Sequence, residues 1–297
     1  MILEEVPQPV LNSGEVLIKV KAIGINPADT IYRNSAAFIT ALFGEKRPVI
    51  MGWDIAGEIV GKAENTDGFE IGDSVFSLLQ NAHGYAEFVA VNVVLLAHKP
   101  ENISFEEAAA APMAGLTAWQ PLVHGMNIKK GDKILIHGAS GGVGHYAVQI
   151  AKHLGAEVIA TSSGKNRDFV MSLGADKHID YQTENFWEVI KNVDLVFDTV
   201  GGETLEHSVD VTKPDGTIIS ILPLRNDELK AKAQEKNVTL SLWGLQCNGE
   251  DLRMFANLMS ENIIKSCIAK TYPFTSMAEA HTQVETRRTA GKIVVTV

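Results

Sequence analysis

Over residues 15–24, Val16, Ile18, Val20 and Ala22 alternate with Lys19 and Lys21, the two-residue period of a strand with one wet face. Residues 54–60, 74–79 and 86–91 read as further strands, separated by turn-forming stretches at 64–72 and 81–84. The first hundred residues therefore predict a compact antiparallel β module with few helices. The texture changes at Ser104, which is followed three residues later by Glu107 and then by an alanine run, the signature of a capping-box helix start. Beyond it, buried strands at 133–137, 157–161, 195–198 and 217–221 alternate with helices at 143–154 and 166–173. That rhythm predicts a parallel sheet wound on both faces. The tail carries a helix-like stretch at 276–289 and a last strand at 292–297, whose β-branched residues match the first module, so the chain is expected to return to it. There is no internal repeat or low-complexity segment, and the charged stretch 226–236 reads as the solvated face of a helix.

With 297 residues, 45% of them hydrophobic, the chain is long enough for two domains. The expected division is 1–107, completed by 268–297, and 108–267. A net charge of 26 − 36 = −10 opposes binding to nucleic acid or to an anionic bilayer surface. Cys247 and Cys267 stand apart from each other and from any metal-spaced histidine, so a reducing, cytoplasmic setting is the default. The longest apolar stretches, 89–97 and 108–119, fall short of the roughly 20 residues of a membrane span.

The sequence Ile134-Leu135-Ile136-His137-Gly138-Ala139-Ser140-Gly141-Gly142-Val143-Gly144 runs from a buried strand through a glycine-rich turn into a helix, which is a dinucleotide fingerprint. Gly141 would let the backbone approach a pyrophosphate, Gly144 would let the helix press on the strand, and the open N–H groups at the helix start attract an anion. Ala139 takes the place of the pattern's first glycine, and a ligand-free turn is the alternative. An NAD enzyme ends its next strand with a carboxylate for the ribose diol. Here Thr161-Ser162-Ser163-Gly164-Lys165, followed by Arg167, stands at that place. Two hydroxyls beside a base suit a 2′-phosphate, so NADPH is the expected cofactor; the other reading of Lys165 is an ordinary solvated lysine.

Five separated motifs now coincide. They are Gly24-Ile25-Asn26-Pro27-Ala28-Asp29, the stretch 108–118 (AAAAPMAGLTA), the 138–144 turn, Leu173-Gly174-Ala175-Asp176 and Gly291-Lys292-Ile293-Val294. Over almost its whole length the chain resembles the medium-chain dehydrogenase/reductases, within them the zinc-independent quinone oxidoreductase (zeta-crystallin-like) branch. The resemblance implies an α/β chain in which a GroES-like β module accompanies a Rossmann doubly wound parallel sheet, with cofactor and substrate in the cleft between them, and a homodimer. Zinc-type relatives carry a Cys after the first long strand and a His in a Gly-His-Glu turn. Those places here read Asn26 and Gly52-Trp53-Asp54, the four-cysteine lobe is missing, and the nine histidines form no H-E-x-x-H cluster. No metal is expected. Without a metal to acidify an alcohol, the expected chemistry is hydride transfer to a quinone or an α,β-unsaturated carbonyl. The rival functions are a 2-enoyl thioester reductase and a non-catalytic NADPH-binding protein.

Asn26 and Tyr32, in the loop after the first strand, are the candidates for stabilising and protonating the carbonyl. The resembling enzymes have a Tyr five residues after the Asn; that position is Ile31 here, and Tyr32 is its neighbour. A turn role for Asn26 and a packing role for Tyr32 stay open, and Asp29 is expected to fix the loop by backbone hydrogen bonds. By motif position Thr117 would reach the nicotinamide, Ser140, Gly141, Gly142 and Val143 the pyrophosphate, and Tyr181 the adenosine. Val200, Ile221 and Leu222 fall at strand ends where a parallel sheet places its crevice. Trp53, Trp243 and Leu245 are candidate walls for a flat substrate, or else core. Relatives usually begin with a further β-hairpin before a Glu-Val-Pro-x-Pro stretch, here Glu5-Val6-Pro7-Gln8-Pro9; an edge of the small module is therefore expected to be exposed.

Overall fold

The structure, a computed structural model, describes residues 1–45, 48–224 and 226–297. It resolves into two units, residues 1–116 with 246–297 and residues 117–245.

In the first unit, residues 1–12 form no helix or strand, and Ile2, Leu3, Val6 and Val10 are exposed. Strand β1 (Glu15–Ile25) follows, its Val16, Ile18 and Val20 side chains buried as the alternation requires. The next helices, α1 (Pro27–Arg33) and α2 (Ala36–Phe43), are not marked by hydrophobic periodicity. Their starts are local: Pro27 has its φ preset for a first helical position, and the Ser35 hydroxyl accepts the Phe38 N–H at 3.2 Å. Strands β2 (Asp54–Lys62), β3 (Ser74–Leu78), β4 (Phe88–Asn92) and β5 (Leu96–His98) complete the antiparallel array. The capping box at Ser104 forms with both bonds, 3.1 Å from the Glu107 N–H to Ser104 Oγ and 2.8 Å from the Ser104 N–H to Glu107 Oε2. It opens α3 (Phe105–Ala110), whose buried alanines lie against β1 and β2. Small side chains allow so close an approach that a Cβ added at Gly24 would fall within 3.0 Å of the Ala109 carbonyl oxygen. The boundary between the units falls in α4 (Pro112–Gln120).

The second unit winds β6 (Lys133–Ile136), α5 (Gly144–His153), β7 (Glu157–Ser162), α6 (Arg167–Ser172), β8 (Lys177–Asp180), α7 (Phe186–Val189), β9 (Val193–Asp198), α8 (Gly202–Val211), β10 (Thr212–Ser220), α9 (Asp227–Glu235) and β11 (Thr239–Leu242). The six strands are parallel in the order β11-β10-β9-β6-β7-β8. The order reverses between β6 and β9, and a parallel sheet opens its ligand crevice beyond the carboxyl ends at such a point. Below that end His137 is fully buried, and burial lowers its pKa to about 4. It stays neutral between the hydroxyls of Thr161 and Ser208, each 3.0 Å away.

The chain then returns to the first unit with α10 (Gly249–Ser260), β12 (Ile268–Pro273), α11 (Met277–Glu285) and β13 (Lys292–Thr296). The expected boundary at 267/268 differs from the observed return at 245/246: α10 lies on β5 of the first unit, and the Arg253 guanidinium donates to the Leu96 carbonyl at 2.9 Å. As expected of the tail, β13 pairs antiparallel with β1, setting Ile293 opposite Ile25. The sheet order is β12-β13-β1-β2-β3-β5, with β4 also on β1.

The Gly24 approach is a constraint of the core. Gly24→Ala is expected to lower unfolding free energy by about 2 kcal/mol or more, read by urea denaturation; an unchanged midpoint contradicts that close contact.

Candidate functional site

Beyond β6 the chain turns at residues 137–143, and α5 begins at Gly144. The N–H groups of Ser140, Gly142 and Val143 donate to no group among the described residues, and all three residues are half-buried. A Cβ on Gly141 would meet only the Gly138 carbonyl, at 3.2 Å, whereas one on Gly144 would fall within 3.0 Å of both Gly138 O and Ala139 Cα. Open donors, an uncovered Gly141 face and a helix pressed on the strand end fit the pyrophosphate of a dinucleotide. Ala139, in place of the first glycine, is fully buried and donates its N–H to Thr161 O at 3.0 Å.

Asn166, which motif reasoning passes over, ties this turn to the end of β7. Its Nδ2 donates to Ser140 Oγ at 3.0 Å and to Ser163 Oγ at 3.2 Å; the Ser-x-x-Asn spacing was the available signal. Ser162 is turned inward, its hydroxyl 2.8 Å from His178 Nε2 and 3.2 Å from the Ser163 carbonyl it donates to. Lys165 and Arg167 stay exposed at the same turn. Tyr181, after β8, is 64% exposed.

At the end of β9 the fully buried Asp198, also absent from the sequence candidates, accepts the N–H groups of Val200 and Gly201 at 3.1 and 3.0 Å and the Ser220 hydroxyl at 2.8 Å. Ser220 Oγ in turn accepts the Leu222 N–H at 3.1 Å. One carboxylate thus shapes both loops that carry Val200, Ile221 and Leu222. Trp243, beyond β11, lies over Gly125, with its indole N–H buried and unpartnered among the described residues. Leu245 and Thr117 are half-buried.

The first unit holds a second polar cluster, around Asn26 at the end of β1. Asn26 is 3% exposed. Its N–H donates to Asp29 Oδ2 and its Nδ2 to Asp54 Oδ2, both at 2.8 Å, while its Oδ1 accepts from Lys292 Nζ. Asp29 therefore holds the loop by a backbone bond, as the sequence suggests. Lys292 also donates to Ile25 O at 3.1 Å and stands 3.8 Å from Asp54 Oδ2. Asp54 Oδ1 accepts the Met113 N–H at 2.8 Å. Tyr85 donates its O–H to Asp29 Oδ2 at 2.8 Å, so its oxygen accepts from His281 Nε2 at 2.8 Å, and His281 Nδ1 accepts from Arg33 at 3.1 Å. Burial raises Asp29 to about 7 and Asp54 to about 6, the latter moderated by Lys292. Burial, and then the Arg33 charge, lower His281 to about 4. Asp29 Oδ1 has no partner. Tyr32 stacks on Phe38 at 3.7 Å and meets the edge of buried Trp53 at 5.5 Å.

A doubly wound parallel sheet with an anion cradle at the start of its α5, on a chain that also carries an antiparallel module, defines the class: a nicotinamide-dependent oxidoreductase. A family model described as an alcohol dehydrogenase GroES-like domain matches residues 12–101, and one described as a zinc-binding dehydrogenase matches residues 173–295. The chain is 33% identical over 306 residues to a chloroplast envelope quinone oxidoreductase homolog of Arabidopsis thaliana, covering 98% of this chain and 92% of that protein. It is 32% identical over 299 residues to 2-methylene-furan-3-one reductase of Solanum lycopersicum, covering 97% and 73%. The solved Escherichia coli quinone oxidoreductase complexed with NADPH superposes with a TM-score of 0.86 at 27% identity, covering 99% of this chain and 95% of that one. The chain belongs to the medium-chain dehydrogenase/reductase superfamily, among its quinone oxidoreductases.

The residues at the zinc positions do not fit the ion that one family description mentions. Among the described residues no group of three His, Cys, Asp or Glu converges as a metal site. At Asn26 and Asp54 a lysine ammonium already occupies the oxygens, and a second cation beside it would be repelled.

Gly144→Ala is expected to destabilise the second unit, whereas Gly141→Ala, whose Cβ would meet one backbone oxygen at 3.2 Å, is expected to lower the melting temperature far less and to weaken nicotinamide dinucleotide binding by about tenfold or more, about 1.4 kcal/mol. Thermal melts with fluorescence titration separate the two; a Gly141→Ala protein that binds as wild type contradicts the cradle. Asp29 keeps its proton in the fold up to about 7 but loses it near 3.8 when unfolded. Its contribution to stability is therefore full below its unfolded pKa and is lost as pH rises through its folded one. The melting temperature of Asp29→Asn minus that of wild type is expected to rise between about pH 5 and about pH 8, and a difference independent of pH contradicts the buried, proton-retaining carboxyl. The opposite contribution of His281 cancels in that difference.

Proposed function

We propose that the protein reduces quinones and α,β-unsaturated carbonyl compounds with NADPH and without a metal ion. The observation that carries the reading is the open set of N–H donors at Ser140, Gly142 and Val143, next to a β7 end whose own residues Ser163, Lys165 and Arg167 carry no carboxylate, the Asp180 carboxylate of β8 lying against Gly164. The likeness to a quinone oxidoreductase complexed with NADPH and to a furanone reductase supports it. The dinucleotide, when bound, supplies a hydride from nicotinamide C4.

The chain's own residues do the rest. The Ser140–Val143 turn, with Gly141 and Gly142 half-buried in it, holds the pyrophosphate. Ser163 and Lys165, with Arg167, hold the 2′-phosphate, and Ser162 supports Ser163 from within. Tyr181 covers the adenosine, while Thr117, Val200, Ile221 and Leu222 flank the nicotinamide half. In the first unit Asn26 has given one Nδ2 hydrogen to Asp54; the second is left to donate to a substrate carbonyl oxygen as negative charge develops there. The Tyr32 hydroxyl, which makes no hydrogen bond among the described residues, supplies the proton directly or through water. Trp53 in the first unit, and separately Trp243 and Leu245 in the second, are assigned as side chains that touch the substrate. The proposal extends to a cytoplasmic homodimer, as the family resemblance implies for the dimer and the two cysteines isolated in the sequence suggest for the compartment. Among the described residues no helix is long and apolar enough to cross a membrane.

Lys165→Ala is expected to raise KM for NADPH by about tenfold or more, the worth of a charge-assisted contact, and to leave KM for NADH nearly unchanged. Steady-state kinetics with each cofactor measure this; equal effects on both overturn the 2′-phosphate assignment.

A further inference from the structure

We propose that Lys292 is a positioning residue for the reaction: its buried ammonium locks the amide of Asn26 into the one orientation that leaves an N–H for the substrate. This role rests on the reading in which Asn26 donates to the carbonyl oxygen.

A lysine 3% exposed is an exception to what interiors tolerate, and its charge persists only where oxygens receive it. The Lys292 ammonium meets Ile25 O, Asn26 Oδ1 and, 3.8 Å away, Asp54 Oδ2. The pairing of β13 with β1, which sets Ile293 opposite Ile25, delivers it there from the far end of the chain.

The consequence for Asn26 is chemical. An asparagine amide has two nearly isosteric flips that exchange its oxygen and nitrogen. An ammonium only donates, so the atom facing Lys292 must be Oδ1. The Asp54 carboxylate accepts, so the atom 2.8 Å from it must be Nδ2. Charges of opposite sign on the two ends of one amide leave a single flip. Asp54 cannot swing aside without losing the Met113 N–H on its other oxygen, and Asp29 holds the Asn26 backbone N–H. With Lys292 replaced by an apolar side chain, Oδ1 loses its donor and only the Asp54 end still holds the amide, which is free to pivot about that one bond. A donor aimed at a developing oxyanion depends on such pre-set orientation, and a displacement of about 1 Å costs about a hundredfold in rate.

The test is a double-mutant cycle on the full chain, with NADPH saturating and 9,10-phenanthrenequinone as the acceptor. Lys292→Met is expected to lower kcat by about tenfold to a hundredfold, with the NADPH dissociation constant, from fluorescence titration, within about twofold of wild type. Asn26→Ala is expected to lose at least as much. In the Asn26→Ala background Lys292→Met is expected to cost nothing further in kcat, because it acts only through the amide. A merely structural lysine would add its loss to that of Asn26→Ala, and additive losses, or a Lys292→Met protein with wild-type kcat, overturn the proposal. Should Lys292→Met fail to fold for want of a partner to Asp54, the Asp54→Asn/Lys292→Met pair removes both buried charges and carries the same cycle with the same two outcomes. An Asn26→Ala protein with wild-type kcat would instead remove the Asn26 reading itself, and the role of Lys292 with it.

Discussion

An ammonium sealed from water has to find oxygens on several sides, and that requirement at Lys292 gathers the first unit around one point. A strand from the tail brings the lysine, the end of β1 brings Asn26 and the Ile25 carbonyl, and the start of β2 brings Asp54. Asp54 in turn holds the backbone of Met113 at the head of α4. Segments far apart in sequence are thus tied through groups that cannot be left unpaired in a low-dielectric interior without a cost of several kcal/mol. Asn26 stands where the sequence pattern of zinc-type members has a Cys, and Trp53, the neighbour of Asp54, where it has a His. A lysine cation seated on these oxygens opposes a metal cation beside it, and in the proposed reaction electrophilic assistance falls to neutral donors.

The second unit follows the opposite electrostatic rule. Apart from the Trp243 indole N–H, the polar groups buried along its sheet are matched inside the protein: His137 lies between two hydroxyls, and Asp198 accepts two N–H groups and a serine hydroxyl. The backbone N–H groups of Ser140, Gly142 and Val143, just before α5, are left open among the described residues. Satisfied interior and unsatisfied rim together make a preorganised anion site, since no internal acceptor has to be displaced when a phosphate arrives. Asp198 and Asn166 extend this order to the surrounding loops without being exposed contact residues themselves.

What could be read in the sequence is what depends on local period and turn chemistry. The alternation in β1, the Ser104 capping box, the glycine turn and the strand–helix rhythm after it all appear where their residues predict. Helices α1 and α2 escaped because short segments set by Pro27 and Ser35 have no apolar stripe to betray them. The placement of α10 on β5 escaped because an amphipathic helix does not say which sheet its apolar face will meet. At the sites, Asn26 and Asp54 were visible as departures from a metal pattern, but Lys292 and His281 were not, because only pairing across the length of the chain brings them there. Ser162 shows the converse: its sequence position suggests a phosphate contact, yet a histidine on the neighbouring strand turns its hydroxyl inward.

Metal-free hydride transfer is the central claim, and isotope transfer in one turnover tests it most directly. Protein freed of metal by a chelator and verified by elemental analysis would be mixed with NADPH deuterated at C4 and an α,β-unsaturated ketone. The account predicts deuterium on the β-carbon of the product, at a rate that chelation does not change. Loss of turnover on chelation, restored by stoichiometric zinc, would contradict it.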